Sequence, residues 1–327
     1  VSGVLVSKVL CSVATRGRYL TTLPLVLNAI INQTRPVDKL IVYDDNDKPE
    51  DLRGHPIYQY FFQMMNIKGI AWEWQWAGKK GQHHIHQHAN RAGFEWVWRV
   101  DDDAVPEPNV LENLVKYIDD EVGAIGGSIL TPPNLYDTSA VTGLIDNIDK
   151  EPNIQWNIIK EPKYVEHLHC SFLYRANVCD YNTGLSRVAH REETLFTYAL
   201  HSKGYLIRVV PDAVTWHMRN SEGGIRSETN REMFEHDEYI FRSFLQLRGK
   251  TIVVLNNGLG DHIVFKKVLP DIKNPIIFTC YPDIIPGRSI AEAKQLFGAI
   301  EHFNVYQKMD QWHWKDSLEK AFRKLYL

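Results

Sequence analysis

Short apolar runs alternate with segments of helical periodicity along most of the chain. Leu40–Tyr43 and Glu95–Val100 predict strands, whereas Tyr19–Gln33, in which Leu20 and Leu27 share one face, predicts a helix. Similar runs predict further strands at Val9–Ala14, Trp72–Trp76, Ala124–Leu130, Cys170–Tyr174 and Tyr205–Val210, and further helices at Gly81–Gly93, Glu107–Tyr117 and Glu192–Ser202. Strands that alternate with helices predict an α/β fold with a mostly parallel sheet covered on both faces. Residues 131–162 are polar and predict a long loop with a hairpin.

The pattern starts anew near residue 250. Thr251–Leu255 and Ile276–Thr279 predict strands, and Ser289–Leu296 predicts a helix. Residues 250–327 hold 11 Lys and Arg against 8 Asp and Glu, whereas the chain as a whole carries a net charge of −3. We therefore predict a large domain over 1–235, a linker over 236–249 and a small α/β domain over 250–327.

Composition excludes several classes of protein. The 327 residues are 44% hydrophobic, yet no apolar run reaches the roughly 18 residues of a membrane span. The slightly negative charge disfavours a protein that coats nucleic acid. The four cysteines form no CxxC pair, which argues against a disulfide framework or a zinc knuckle. These features together predict a cytoplasmic protein without an integral membrane segment.

Two acidic clusters follow directly on predicted strands. The strand ending at Val100 leads into Asp101, Asp102 and Asp103, and the strand ending at Tyr43 leads into Asp44-Asp45. In parallel α/β sheets, ligands bind at the carboxyl ends of the strands. Three adjacent carboxylates repel one another unless a cation lies among them, and Mg²⁺ and Mn²⁺ prefer such oxygens. A solvated acidic turn is the alternative interpretation.

Two further motifs carry candidate chemistry. Glu192 and Glu193 open a predicted helix, where they could cap its N-terminus or take a proton from a hydroxyl as a general base. His217 ends the apolar stretch that begins at Val209, where it could complete a metal shell or be a structural histidine.

Taken in order, these motifs resemble the family 2 glycosyltransferases of the GT-A fold. The resemblance covers about residues 8–220 and rests on motifs in the order of that family: Thr15-Arg16, Asp44-Asp45, Asp101-Asp102-Asp103, Glu192-Glu193 and His217. It implies a metal-dependent, inverting transfer of a sugar from a nucleotide-sugar to an acceptor hydroxyl. The donor most frequent in the family is a UDP-sugar, and the cation implied is Mn²⁺ or Mg²⁺.

The resemblance also implies a role for each matched residue. Glu193 would be the general base, with Glu192 beside it. The cation would be held by Asp103, with Asp101 and His217 in support. The donor-binding residues implied are Thr15, Arg16, Asp44, Asp45, His86, Asp101 and Asp102.

This chain departs from the family at two motifs. Glu193 stands where the family usually has Asp, which extends the base by one methylene. His86 stands where the family tends to have Asn, within the histidine-rich run Gln82–His88. The polar segment 219–231 contains Gly223-Gly224 and predicts a loop that could close over the donor.

The C-terminal segment carries a second resemblance. Leu255–His262 is similar to the Gly-Leu-Gly-Asp start of GT-B glycosyltransferases related to heptosyltransferases. Only 78 residues remain from residue 250 onward, too few for a two-lobed enzyme of that type. We expect a Rossmann-like module for acceptor binding or homo-oligomerisation.

Alternatives remain open at the level of the sequence. The acceptor could be a glycan, a small molecule or a hydroxylated base of DNA, as for virus-type glycosyltransferases. A non-catalytic nucleotide-sugar-binding module would use the same residues without Glu193. A nucleotidyltransferase would need a basic triphosphate loop, of which Arg16-Gly17-Arg18 is a short version.

Overall fold

The structure is a computed structural model. It describes residues 8–132, 139–141, 154–156, 160–168, 170–225, 230–247, 249–255, 259–279, 295–300 and 302–304. The chain divides into two compact units, 1–238 and 239–327, which are described separately. The predicted domain boundaries stay a prediction, and most of the predicted linker lies within a helix.

The secondary structure of the first unit follows the predicted alternation. Its strands are β1 (Val9–Thr15), β2 (Lys39–Asp44), β3 (Ala71–Trp76), β4 (Trp96–Asp101), β5 (Ala104–Pro106), β6 (Val122–Leu130), β7 (Ser139–Val141), β8 (Ile154–Trp156), β9 (Lys163–Val165), β10 (Ser171–Arg175) and β11 (Leu206–His217). Its helices are α1 (Leu23–Ile31), α2 (Pro56–Ile67), α3 (Gln82–Asn90), α4 (Val110–Val115), α5 (Glu192–Ser202) and α6 (Arg231–Leu247), the last of which continues into the second unit. Residues 52–54 form a 3-10 turn.

One twisted sheet organises this unit. Its strands follow the order β3-β2-β1-β4-β10-β6-β11-β5, with β7 beside β6 and β9 beside β11. The four strands from β3 to β4 are parallel, and so are β6 and β11, whereas β10 runs antiparallel between β4 and β6. The carboxyl ends of β1, β2 and β4 therefore meet at one edge of the sheet.

Apolar cores lie on both faces of the sheet, as predicted for this class. Because side chains alternate along a strand, Trp96 and Trp98 face one core with α1 and α2, whereas Val97 faces the other with α3 and α5. Both tryptophans are fully buried. The α/β class with a largely parallel sheet is confirmed.

The structure corrects several predicted elements. Helix α1 begins only at Leu23, because Pro24 suits its first turn, and Leu20 is 68% exposed rather than on the apolar face. Strand β11 does not end at Pro211. It continues to His217 across a register shift between Val209 and Val214, and such an irregularity accommodates a proline. Helix α2 was not predicted. The short strands β7 and β8 pair antiparallel, as the predicted hairpin requires.

The second unit contains a small parallel sheet. Its strands are β12 (Thr251–Leu255), β13 (Pro275–Thr279) and β14 (His302–Asn304), with helix α7 at Leu259–Phe265 and a 3-10 turn at Leu269–Asp271. Val253, Leu269, Ile277 and Phe297 form its apolar cluster. This is the small α/β architecture expected. The predicted glycine-rich turn at 256–258 and most of the predicted helix 289–296 lie outside the described residues.

Candidate active site

The predicted acids surround a cavity of about 530 Å³ at the carboxyl edge of the sheet. Its walls come from the end of β4, the start of α5, the end of β11 and the segment that follows it. Lining residues include Asp101, Asp102, Asp103, Cys170, Glu193 and His217. Residues predicted from three separate motifs, up to 116 positions apart in the chain, thus reach one cavity.

Asp102 is bound mainly by the turn after β1. Thr15 Oγ1 donates to its carboxylate at 2.8 Å, the Arg16 N–H at 3.3 Å and Arg18 Nη1 at 2.5 Å. Burial raises the pKa of Asp102 to about 6 even though Arg18 lowers it. The predicted donor-binding residues Thr15 and Asp102 therefore contact each other, and Asp102 holds this turn beside the cavity.

Asp103 and His217 approach each other across the pairing of β5 with β11. The His217 Nε2 lies 3.4 Å from the Asp103 carboxylate, and Arg18 Nη1 lies 3.1 Å from it. Burial acts to raise the pKa of Asp103, but the hydrogen bond and charge of His217, with the charge of Arg18, outweigh it, so this pKa lies below its usual value. A carboxylate kept ionised beside an imidazole suits a divalent cation.

The balance of charge also fits a cation. The Arg18 guanidinium contacts both Asp102 and Asp103, and the Arg99 guanidinium contacts both Asp101 and Glu192. Each of these guanidinium groups thus contacts two carboxylates, so the carboxylates of the buried cluster outnumber the arginines that contact them. A divalent cation would neutralise that excess.

Glu192 and Glu193 take different directions at the start of α5. Glu193 lines the cavity. Glu192 is fully buried and accepts a hydrogen bond from Arg99 Nη1 at 2.5 Å. Burial raises the pKa of Glu192 to about 8, against the lowering effect of Arg99. Arg99 Nη2 donates to Asp101 at 2.8 Å, so one guanidinium joins the start of α5 to the end of β4.

Asp44 and Asp45 lie at the end of β2, outside the lining of this cavity. Asp45 accepts from the backbone N–H groups of Lys80 and Gly81 at 2.7 and 3.2 Å. Asp44 accepts from Tyr19, Trp74 and Asn46. Arg16 donates to the Asp45 carbonyl at 2.5 Å and to Asp47 at 2.7 Å. A second cavity of about 430 Å³ lies here, with Arg16, Tyr19, Asn46 and Asp47 among its lining residues.

His86 is fully buried on α3, and it does not line either cavity. Burial lowers its pKa well below the usual range, and its ring lies 5.6 Å from that of Tyr181. From the same helix, Gln82 reaches the cavity and donates to Asp101 at 3.0 Å. The structure thus brings a glutamine to the site from the histidine-rich run.

The described part of the predicted closing loop lies against the turn after β1. Arg18 donates to the carbonyls of Asn220 and Glu222 at 2.7 and 3.2 Å. A Cβ on Gly223 would lie only 2.6 Å from the Gly17 carbonyl oxygen, so this position requires glycine. The loop residues 226–229 lie outside the described residues.

Sequence patterns did not assign Arg18, Gln82, Arg99 or Cys170 to this site, although Arg18 belongs to the short basic run considered for a nucleotidyltransferase. Arg99 gave a signal, because a charged residue within an apolar strand must find a partner if it is buried. The positions of Gln82 and Cys170 depend on how α3 and β10 pack beside β4, which periodicity does not fix.

Comparison with known proteins defines the class of this protein. The family model described as Glycosyl transferase family 2 matches residues 13–192, more than half of the chain. Together with the fold, this match defines a glycosyltransferase of the GT-A type. The chain belongs to glycosyl transferase family 2, as the motifs predicted. No curated protein matches it.

Solved structures share the fold at low sequence identity. A crystal structure of GalNAc-T7 with UDP, GalNAc and Mn²⁺ has a TM-score of 0.52 at 12% identity and covers 73% of this chain and 51% of that chain. A structure of S. aureus TarS 1-349 in complex with UDP-GlcNAc has a TM-score of 0.51 at 14% identity and covers 97% of this chain and 81% of that chain. The chain therefore spans about half the length of the GalNAc-T7 structure. In the described ranges, no helix combines the length and apolar character needed to cross a bilayer.

Proposed function

We propose that this chain transfers a sugar from a UDP-sugar to an acceptor hydroxyl with inversion of the anomeric carbon. The observation that carries the proposal is that Asp103, His217 and Glu193 all line one cavity of about 530 Å³. That volume lies within the usual range for small-molecule sites. The donor class is supported by the UDP and UDP-GlcNAc named in the two similar structures.

In this proposal Glu193 removes the proton from the acceptor hydroxyl. The acceptor oxygen forms a bond to the anomeric carbon as the bond from that carbon to the diphosphate oxygen breaks. The proton stays on Glu193, and the nucleoside diphosphate leaves with the bonding electrons. A single displacement of this kind inverts the anomeric centre, and it needs one base and no protein nucleophile.

Asp103 and His217 would hold a divalent cation, Mn²⁺ or Mg²⁺, with Asp101 in support. When bound, the cation would neutralise charge on the departing diphosphate. Thr15 and Asp102 keep the turn after β1 beside the cavity, and Arg18 joins that turn to Asn220 and Glu222. We place the nucleoside near Arg16, Asp44 and Asp45, beside the second cavity.

The first test measures donor binding. Melting temperature is followed with Mn²⁺ and a panel of nucleoside diphosphates, because a ligand that binds only the folded state raises it. We expect UDP to give the largest rise and Asp103→Ala to abolish it. No rise with any nucleotide would contradict the proposal, and a rise without later transfer would favour a binding module.

The second test measures transfer. Glu193→Gln should lower kcat by about 10²- to 10⁴-fold, the usual contribution of a general base, while UDP binding persists. Glu232→Gln, an exposed position on α6, is the matched control and should keep full activity.

Product stereochemistry is measured by nuclear magnetic resonance, and retention of configuration would contradict a single displacement. Candidate acceptors include glycans, small hydroxylated molecules and DNA with hydroxylated bases.

A further inference from the structure

A second set of metal-binding groups lies within the wall of the large cavity. The Asp101 carboxylate, the Cys170 sulfur and a ring nitrogen of His217 all lie within 4.8 Å of one another. Asp101 ends β4, Cys170 precedes β10, and His217 ends β11. The backbone fixes part of this arrangement, since the Asp101 N–H donates to the Cys170 carbonyl at 3.0 Å.

The Cys170 thiol faces the cavity without a hydrogen-bond partner among the described residues. Its residue is 1% exposed, and it contributes to the cavity lining. Cys11 and Cys170 both belong to the same apolar core, but of these two only Cys170 also lines the cavity. The Cys179 thiol donates to the Phe196 carbonyl. Cys170 is therefore the described thiol that a ligand in the cavity can reach.

The chemistry of these three groups differs from that of the Asp103 and His217 pair. Mg²⁺ and Mn²⁺ favour oxygen ligands, whereas a thiolate selects softer cations. Sulfur, imidazole nitrogen and carboxylate oxygen are the ligands that Zn²⁺ takes, and three protein ligands with one open position are typical of accessible zinc sites. The excess of carboxylates over the guanidinium groups of Arg18 and Arg99 favours a cation at this position too.

We propose that Asp101, Cys170 and His217 form a binding site for a thiophilic divalent cation of the Zn²⁺ type. Binding would release the thiol proton to solvent and form a metal–sulfur bond. Because Asp101 and His217 belong to both sets, this site overlaps the proposed Mn²⁺ or Mg²⁺ site, and the two cations would compete for the same carboxylate and imidazole. The zinc site stands independently of the proposed function, whereas inhibition of a Mn²⁺-dependent transfer by Zn²⁺ rests on it.

Cobalt titration of the metal-free 327-residue chain tests the site directly. Thiolate-bound Co²⁺ has a charge-transfer absorption band in the near ultraviolet, which oxygen and nitrogen ligands do not give. We expect this band to saturate at one Co²⁺ per chain and to vanish when Zn²⁺ is added. Zn²⁺ affinity is then measured by competition with a chromophoric chelator.

Variants assign the band to individual residues. Cys170→Ser should abolish the band and weaken Zn²⁺ binding by at least 10- to 100-fold, the loss usual even for outer-shell partners. Cys170→Ala gives a second test should the serine variant not fold, and melting temperature monitors both. Cys179→Ser and Cys280→Ser are matched controls and should keep the band.

The outcomes separate this inference from the proposed function. An absent band, or a band that persists in Cys170→Ser and Cys170→Ala, would overturn the zinc site even if sugar transfer is observed. A band that depends on Cys170 would support the site even if no donor is found. Where transfer is observed, Zn²⁺ should inhibit the parent protein, and Cys170→Ser should need at least tenfold more Zn²⁺ for the same inhibition.

Discussion

Arg99 offers a sharp test of how the candidate site is held together. Its guanidinium is fully buried and lies 2.5 Å from a Glu192 oxygen and 2.8 Å from an Asp101 oxygen. The perturbation is Arg99→Met, which keeps an unbranched apolar stem and removes the guanidinium charge. Glu192, itself fully buried, then loses its described cation.

The expected loss follows from the burial of both partners. Unit charges about 4 Å apart interact by about 4 kcal/mol at an effective dielectric constant near 20. Removal of one partner from a buried pair typically costs about 3–5 kcal/mol, because the other charge stays behind without compensation. We therefore expect Arg99→Met to lower the free energy of unfolding by about 3–5 kcal/mol when Glu192 is ionised.

The pH dependence gives this prediction a second signature. Burial raises the pKa of Glu192 to about 8, so this carboxyl is ionised at about pH 9 and largely protonated at about pH 6. At the lower pH the loss should shrink to about 1.5–3 kcal/mol, the usual contribution of a hydrogen bond to a charged group. The loss in Arg99→Met should therefore be larger at about pH 9.

Urea unfolding at both pH values measures these losses, with Arg99→Met/Glu192→Leu as the matched double variant. Replacing a whole buried pair by apolar side chains is often neutral or stabilising, so the double variant should recover most of the loss at about pH 9. Asp101, whose side chain is 23% exposed, stays in contact with solvent. Two results would refute the reasoning: losses that simply add in the double variant, or a loss below about 1 kcal/mol in Arg99→Met at about pH 9.

Three further predictions concern the same unit. Burial lowers the pKa of His167 to about 4, below the unfolded value near 6.5. The unfolded state therefore binds more protons between these pH values, and the free energy of unfolding falls by about 3 kcal/mol as the pH drops from 6.5 to 4. His167→Phe should make this fall shallower in urea unfolding, and an unchanged pH profile would contradict the prediction. Gly223→Ala should lower the free energy of unfolding by more than the roughly 1–2 kcal/mol cost of the left-handed backbone. Gly69→Ala is the control, because Gly69 has the same φ of +69° but open space around it, and it should lower the free energy of unfolding by that backbone cost alone. Equal losses would exclude a role for the contact with Gly17. Arg18→Lys should speed limited proteolysis within 219–225, because a lysine cannot reproduce the guanidinium contacts to Asp102, Asn220 and Glu222; an unchanged cleavage rate would show that Arg18 does not anchor this segment.

The parts of the site that the sequence predicted share one physical property. Asp101 follows an apolar strand directly, and the carboxyl ends of parallel strands meet at one edge. The pattern of an apolar strand followed by acidic residues therefore places those acidic residues at one edge of the sheet without knowledge of distant contacts. The same argument places Asp44, although its hydrogen bonds with Tyr19 and Trp74 depend on how β3 pairs with β2.

The residues that the sequence did not reveal reach the site through long-range packing. Gln82 contacts Asp101 because α3 packs over β1 and β4, and Cys170 does so because β10 inserts antiparallel beside β4. The strand β10 interrupts an otherwise parallel region, and the hydrophobic period of a strand does not indicate whether it pairs parallel or antiparallel. The prediction that β11 ends at Pro211 was wrong for a related reason. A proline usually ends a regular strand, but it is tolerated where the register shifts.

Helix geometry explains why Glu193, rather than Glu192, is the better candidate for the base. Successive residues of an α-helix point about 100° apart, so two adjacent glutamates cannot face the same neighbour. Glu192 points to Arg99 inside the protein, and Glu193 consequently faces the cavity. Arg191, which precedes them, has a left-handed backbone with φ 67° and lies within the cavity lining as well. The turn before α5 therefore sets which carboxylate an acceptor can reach.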